Sequence, residues 1–342
     1  MRAAKVQRAT AVALAVILGF GAFTFFRGRL AEGEAAADTI SLPADTLAAG
    51  DTAAADPPSA ADSTAAADAP ADSGQAAPAP DETGQARYRA GEDPDYAARM
   101  GWPVSGPAAL AGALLPERRI VCYYGNPNST RMGALGEFPK DEMLRRLRNQ
   151  IGEWERADPE TPVTPCLHMV AVVAQGDPGT SGHYRSIMRD ADVQKVYDWS
   201  KEAGGIFIVD IQVGTDDIRN ILPRFEWILK NPDVHLGIDP EFMMKGGQRP
   251  SSRIGTMDAA DINYASAYLA DLVKAHNLPP KVLVIHRFTR AMVTNASSVR
   301  LRPEVQVVMH MDGWGPAWLK RDSYRDYVVK EPVQYSGFKL FY

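Results

Sequence analysis

Two neighbouring stretches of this chain, IFIVDIQ at 206–212 and VHLGIDPE at 234–241, decide its fold class. Each is a short apolar run that ends in acidic or amide side chains. Between them, a helix-capping group at 215–217 precedes apolar residues that recur at helical spacing over 218–229. Short buried strands that alternate with helices are typical of parallel sheets with crossover helices. The two stretches therefore predict an α/β domain.

The same alternation continues on both sides of these stretches. Further strands are predicted at 119–124, 167–174, 281–285, 305–311 and 337–341, and further helices at about 141–154, 193–203 and 259–276. Such a pattern builds either a closed barrel or an open doubly wound sheet. The glycine fingerprint of a dinucleotide site does not follow the first strand, and polar strand ends favour the barrel. We expect a (β/α)8 TIM-barrel-like domain.

The barrel interpretation leaves one strand unaccounted for, because the chain ends directly after the seventh predicted strand. A barrel without its closing unit would leave a long unpaired edge. Two explanations stay open. Either the sequence is a fragment truncated after strand 7, which we favour, or residues 110–115 supply the missing strand.

The amino terminus carries a predominantly apolar run of 18 residues, 9–26, flanked by basic residues. This length suffices for a membrane-spanning helix and is long for the apolar core of a cleaved signal peptide. The basic excess before the run places the amino terminus in the cytoplasm. Residues 1–30 are therefore predicted to be an uncleaved transmembrane signal-anchor, with the domain facing the periplasm or the cell exterior.

Residues 31–96 hold fourteen acidic side chains and two basic ones in a background of Ala, Pro, Ser and Thr. Such a segment buries too little apolar surface to offset the entropy cost of ordering it. It is predicted to be a disordered linker that holds the folded domain, 97–342, away from the bilayer.

The predicted domain at 97–342 is close to neutral, with 30 basic and 28 acidic residues. It lacks the basic field that nucleic-acid binding requires, so no nucleic-acid partner is expected. Cys122 and Cys166 lie in runs that would be neighbouring strands. They either form one bridge in an oxidising compartment or, as we favour, pack as small buried apolar residues.

Polar side chains gather at the ends of the predicted strands, and parallel strands of a barrel all end on the same side. Because strand side chains alternate, Asp239 and Glu241 point the same way. We expect the polar groups to line one barrel mouth, although an internal salt-bridge layer with Lys339 and Arg287 is the structural alternative. The candidate catalytic residues are Asp210, Asp239, Glu241 and Asp312, and the candidate substrate-binding residues are Tyr124, Asn126, Gln212, His286, His310, Trp314 and Lys339.

The segment Asp239-Pro240-Glu241 is the most specific of these features. Two carboxyl groups two residues apart on one strand share a field, so one stays ionised while the other is held protonated near neutral pH. The segment resembles the Asp-x-Glu strand end of chitinase-like and barrel-lysozyme-like glycoside hydrolases. That resemblance implies a proton donor at Glu241, oriented by Asp239, and a polysaccharide or peptidoglycan substrate. The further glycine and aspartate of the chitinase pattern are replaced by His235, Leu236 and Gly237.

Two other functions stay open beside a membrane-anchored glycosidase-type hydrolase of the cell envelope. A metal-dependent hydrolase would draw its ligands from Asp210, Asp239, His286, His310 and Asp312. Histidine pairs at metal-ligand spacing are lacking, and the other four histidines are predicted to be structural, so neither metal nor cofactor is expected. The third possibility is a non-catalytic domain that binds cell-wall polymer.

Overall fold

The computed structural model describes residues 95–340 and the backbone of one amino-terminal strand, β1 (Ala13–Ile17). The remainder of the predicted anchor, and the predicted linker up to residue 94, lie outside the described residues. Among the helices of the described part, none combines the length and apolarity needed to cross a membrane.

Seven parallel strands form one curled sheet, in the order β2-β3-β5-β6-β8-β10-β11. A short strand, β4, pairs antiparallel with the end of β3, and β7 and β9 form a separate parallel pair. The strands are β2 (Arg119–Gly125), β3 (Val163–Ala174), β4 (Arg185–Ile187), β5 (Ile206–Ile211), β6 (Val234–Ile238), β7 (Met257–Asp258), β8 (Lys281–His286), β9 (Val293–Thr294), β10 (Val305–Met311) and β11 (Tyr335–Leu340). The predicted strand order along the chain and the parallel sheet are confirmed.

Helices connect the strands. They are α1 (Tyr96–Arg99), α2 (Ala134–Glu137), α3 (Lys140–Ala157), α4 (Asp190–Glu202), α5 (Ile218–Ile221), α6 (Glu226–Leu229), α7 (Ala259–His276) and α8 (Ala317–Ser323). The three long ones, α3, α4 and α7, each bury one apolar face. In α3, for example, Met143, Leu144, Leu147 and Ile151 are buried at helical spacing. Because these helices cover the strands from outside, the strands are buried on both faces.

The single helix predicted over 218–229 is divided. Helix α5 gives way to a tighter 3-10 turn at Leu222–Phe225, and α6 follows. Pro223 lies in that turn, where it has no N–H to donate to an α-helical hydrogen bond. The apolar residues of the segment are nevertheless buried as the spacing predicted.

The amino-terminal side of the sheet is closed by the segment that precedes β2. Gln306 of β10 accepts hydrogen bonds from the backbone N–H groups of Leu114 and Leu115 at 2.9 and 3.1 Å, and donates to the Leu115 carbonyl at 2.6 Å. Residues 110–115 are turns and extended chain, so the hypothesis that they form the eighth strand was wrong. Instead, β1 pairs in parallel with both β11 and β2, the two outer strands of the seven-strand order. Residues 13–17, which lie in the run predicted to be a membrane-spanning helix, are therefore a strand in this structure.

Cys122 and Cys166 are directly opposed on β2 and β3 and form a disulfide. Their Cα atoms lie 4.2 Å apart. The favoured interpretation of two separate packed thiols was therefore wrong. Neighbouring parallel strands bring registered side chains of the same face together, which the sequence separation of 44 residues conceals.

Replacing both cysteines (Cys122→Ala with Cys166→Ala) should lower the free energy of unfolding by about 2–4 kcal/mol, because the bridge restricts the unfolded chain. Urea unfolding, followed by tryptophan fluorescence, compares the variant with the oxidised and the reduced wild type. Alkylation in denaturant without reductant is the control. Labelling of both cysteines in the untreated protein would contradict the bridge.

Candidate functional site

The concave side of the curled sheet carries a cluster of polar side chains from six strands, where an apolar core would be expected. Its innermost members are His168 on β3, Asp210 on β5, His286 on β8 and His310 on β10, and none of them is exposed to solvent. Alternation along each strand turns these side chains inward, and the curl brings strands that are not neighbours within reach of one another.

Asp210 is the centre of this inner group. Its Oδ2 atom accepts a hydrogen bond from the Tyr124 hydroxyl at 3.0 Å and lies 3.4 Å from His168 Nε2 and 3.3 Å from His286 Nε2. Burial alone would raise the pKa of Asp210, but the two imidazoles outweigh it and hold that pKa well below its usual range. Asp210 is therefore an anion at the bottom of the cluster.

His286 lies between two carboxylates. Its Nε2 faces Asp210, and its Nδ1 is 2.8 Å from Oδ2 of Asp312, at hydrogen-bonding distance. Burial lowers the pKa of His286, but the two adjacent carboxylates outweigh burial and raise it well above its usual value. The arrangement fixes the orientation of the imidazole ring.

The other two inner histidines differ from His286 in their polar contacts. Among the described residues, no ring nitrogen of His168 or His310 makes a well-aligned hydrogen bond, and the contact of His168 Nε2 with Asp210 is a long one at 3.4 Å. Their rings lie 5.5 and 5.3 Å from the His286 ring, centre to centre. Burial lowers the pKa of both imidazoles, which are accordingly neutral.

Above this inner group, Asp239 and Glu241 follow directly after β6. The Asp239 carboxylate accepts hydrogen bonds from the Glu241 backbone N–H at 3.0 Å and from Gln212 Nε2 at 3.4 Å. Burial, together with neighbouring carboxylates, raises the pKa of Asp239 to about 7 and that of Glu241 to about 8. Glu241 is the more exposed of the two.

Lys339 on β11 and Asp312 after β10 complete the outer group. Lys339 Nζ lies 4.0 Å from Asp312 Oδ2 and 3.7 Å from the centre of the Tyr124 ring, over its face. Burial, and then the nearby carboxylates, raise the pKa of the Tyr124 hydroxyl well above its usual value. The tyrosine therefore stays a hydrogen-bond donor throughout the working pH range.

Some predicted site residues lie apart from this cluster. Asn126 donates to the Val170 carbonyl at 3.0 Å and holds the loop after β2. Trp314 is 78 % exposed, in the loop after Asp312. Arg287 is buried but donates to Glu331 and to backbone carbonyls, among them that of Tyr327 at 2.8 Å. The salt-bridge alternative required Arg287 to neutralise the carboxylates of the cluster. Arg287 does not do so, because its hydrogen bonds go elsewhere.

Sequence reasoning missed two members of the cluster. His168 was predicted to be structural, as one of several scattered histidines; β3 begins four residues before the predicted strand, and His168 lies in its middle. From the sequence, Gly237 was noted only because it departs from the chitinase pattern. A Cβ atom at Gly237 would lie 2.6 Å from His168 Nε2 and 2.8 Å from Asp210 Oδ1. The glycine is what allows Asp210 and His286 to meet across β6.

A cavity of about 220 Å³ lies at the opposite, amino-terminal ends of the strands. Its lining includes three prolines, apolar groups and His235. The ring of His235 accepts a hydrogen bond from the Val282 N–H at 3.0 Å, in keeping with the structural role predicted for it. The polar cluster at the carboxyl ends is the better candidate site, because charged groups converge only there among the regions described.

Neither family models nor curated proteins give a match to this chain. The function of the site is accordingly inferred from its own geometry.

Gly237→Ala should destabilise the domain by about 1–3 kcal/mol, because the new methyl group overlaps two fully buried polar side chains. Gly152→Ala on α3 is the matched control. The added Cβ there meets only the mobile end of Arg156 at 3.3 Å, and alanine favours the helix. Thermal unfolding of both variants measures the difference, and equal melting temperatures would contradict the tight packing at Gly237.

Proposed function

We propose that this protein is a membrane-anchored hydrolase of the glycosidase type, which acts on a cell-envelope or extracellular glycan. The domain would be a (β/α)8-type barrel with its site at the carboxyl ends of the strands. Anchoring by the apolar run 9–26 would require residues 13–17, strand β1 in the structure, to leave the sheet for the bilayer. The observation that carries the proposal is the pair Asp239 and Glu241. Asp239 is buried directly after β6, and the more exposed Glu241 lies in the 3-10 turn Pro240–Phe242 that Asp239 caps.

Glu241 has the properties of a general acid. A carboxyl group that is protonated near neutral pH can donate its proton to the oxygen of a glycosidic leaving group. Burial raises the pKa of Glu241 to about 8, and its partial exposure leaves the side chain within reach of a ligand. Its backbone N–H is held by Asp239, which orients the residue.

The neighbouring acids would have the complementary task. Breaking a glycosidic bond builds positive charge on the sugar ring, and carboxylates close to the ring stabilise that charge. Asp312, at the rim, and Asp239 are the candidates for this role. The exposed indole of Trp314, in the loop that follows Asp312, offers a flat apolar face of the kind on which sugar rings stack.

Glu241→Gln should reduce the hydrolysis rate by at least about 10²-fold on the glycan that the wild type cleaves, because the amide has no proton to give. The test uses purified peptidoglycan and a panel of envelope polysaccharides, with released reducing ends as the measurement. Glu155→Gln, at an exposed position of α3, is the matched control. Polymer binding without turnover in the wild type would instead support a non-catalytic binding domain.

The rate should fall as the pH rises through about 8, because the acid form of Glu241 is then lost. Asp239 and Asp312 face this group and raise its pKa, after the larger effect of burial. The cations of Lys339 and His286 oppose them. Lys339→Met should therefore move the alkaline limb of the pH profile of kcat/KM to higher pH. A shift to lower pH, or none, would contradict the assignment of Glu241 as the acid.

A further inference from the structure

Three fully buried side chains beneath the proposed acid bring one ligand atom each to a common point. His168 Nε2 and His286 Nε2 lie 3.4 and 3.3 Å from Asp210 Oδ2, and all three atoms fall within 4.8 Å of one another. Ligands held at zinc-like bond lengths in a tetrahedral site are about 3.3–3.6 Å apart. Both spacings around Asp210 therefore match those of atoms that share one metal ion.

The hydrogen bonding of these histidines points the same way. Both rings are fully buried, and within the described residues neither His168 Nε2 nor His286 Nε2 makes a well-aligned hydrogen bond; each faces Asp210 Oδ2, at 3.4 and 3.3 Å. A buried polar atom without a well-aligned hydrogen bond is unfavourable, and such atoms in a native protein call for an explanation. Two ring nitrogens that converge on one carboxylate oxygen at long, poorly aligned contacts are satisfied together by a cation placed between the three atoms.

The side chains around the three candidate ligand atoms resemble the outer partners that orient metal ligands in proteins. His286 Nδ1 is 2.8 Å from Asp312 Oδ2, the pairing by which a carboxylate fixes the tautomer and direction of a metal-binding histidine. The Tyr124 hydroxyl donates to Asp210 Oδ2 at 3.0 Å. Gly237 keeps side-chain atoms out of the space beside His168 Nε2 and Asp210.

We propose that His168 Nε2, Asp210 Oδ2 and His286 Nε2 bind one divalent first-row transition-metal ion, with Asp312 as the residue that positions His286. Two imidazoles and one carboxylate suit zinc and its neighbours better than calcium or magnesium, which prefer oxygen ligands. The rival explanation of this geometry is that His286 is a protonated imidazolium, which forms ion pairs with Asp210 and Asp312 without any metal.

This metal site differs from the metal-ligand set considered from the sequence, because His168 replaces Asp239, His310 and Asp312 as a direct ligand. The inference goes beyond glycan hydrolysis and does not depend on it, since neither Asp239 nor Glu241 belongs to the ligand set. The Glu241→Gln variant should bind the metal as the wild type does. Loss of hydrolysis with retained metal would support both proposals, and retained hydrolysis with retained metal would remove only the first.

The test uses the full chain, purified in detergent, stripped with EDTA and reloaded with Zn²⁺ or Co²⁺. The wild type should retain about one equivalent of zinc by elemental analysis, melt at a higher temperature with zinc than with EDTA, and show visible absorption with Co²⁺. His168→Gln and His286→Gln should each bind zinc at least about tenfold more weakly, and Asp312→Asn about 10–100-fold more weakly.

His235→Gln is the matched control, because it removes a buried imidazole at the far end of the strands and should leave zinc binding unchanged. Zinc bound equally by the wild type, His168→Gln and His286→Gln would overturn the proposal in favour of adventitious binding elsewhere. If the variants fail to fold, the wild type alone suffices as a test. A melting temperature unaffected by Zn²⁺ and EDTA, without a Co²⁺ band, would overturn the metal site in favour of the imidazolium.

Discussion

The buried carboxylate of Asp210 is the group on which the rest of the site depends. An anion without solvent contact is costly unless cations or hydrogen-bond donors surround it. Here Tyr124, His168 and His286 converge on its Oδ2 atom from three different strands. Each of these side chains gains its direction from that shared partner, so the inner part of the cluster behaves as one electrostatic unit.

The pKa values of the outer carboxyl groups, Asp239 and Glu241, depend first on burial and then on the charges of these neighbours. With Asp210 ionised below and Asp312 held against His286, a further negative charge at the end of β6 is unfavourable. Burial, reinforced by neighbouring carboxylates, raises the pKa of Glu241 to about 8. General acid catalysis needs one carboxyl group that is protonated and a second one nearby that stays ionised. Glu241 and Asp210 differ in this way.

Much of the fold could be predicted because its determinants are local. Apolar runs of strand length and helical spacing lie in the chain itself, and the carboxyl ends of parallel strands must share one side of the sheet. That argument predicted Asp210, Asp239, Glu241 and Asp312 as site residues from the sequence alone. It erred where the outcome depended on partners far along the chain, as with the disulfide of Cys122 and Cys166 and the position of residues 110–115.

By itself, the sequence determined the α/β alternation, the parallel strands and the acidic strand ends, since periodicity and composition carry that information. The tertiary structure alone decided which of those groups meet. The curl of the sheet brings β5 and β8 together over Gly237, and the register of β3 turns His168 toward Asp210. Such distances are set by sheet curvature and by the absence of one side chain, and neither leaves a periodic trace in the sequence.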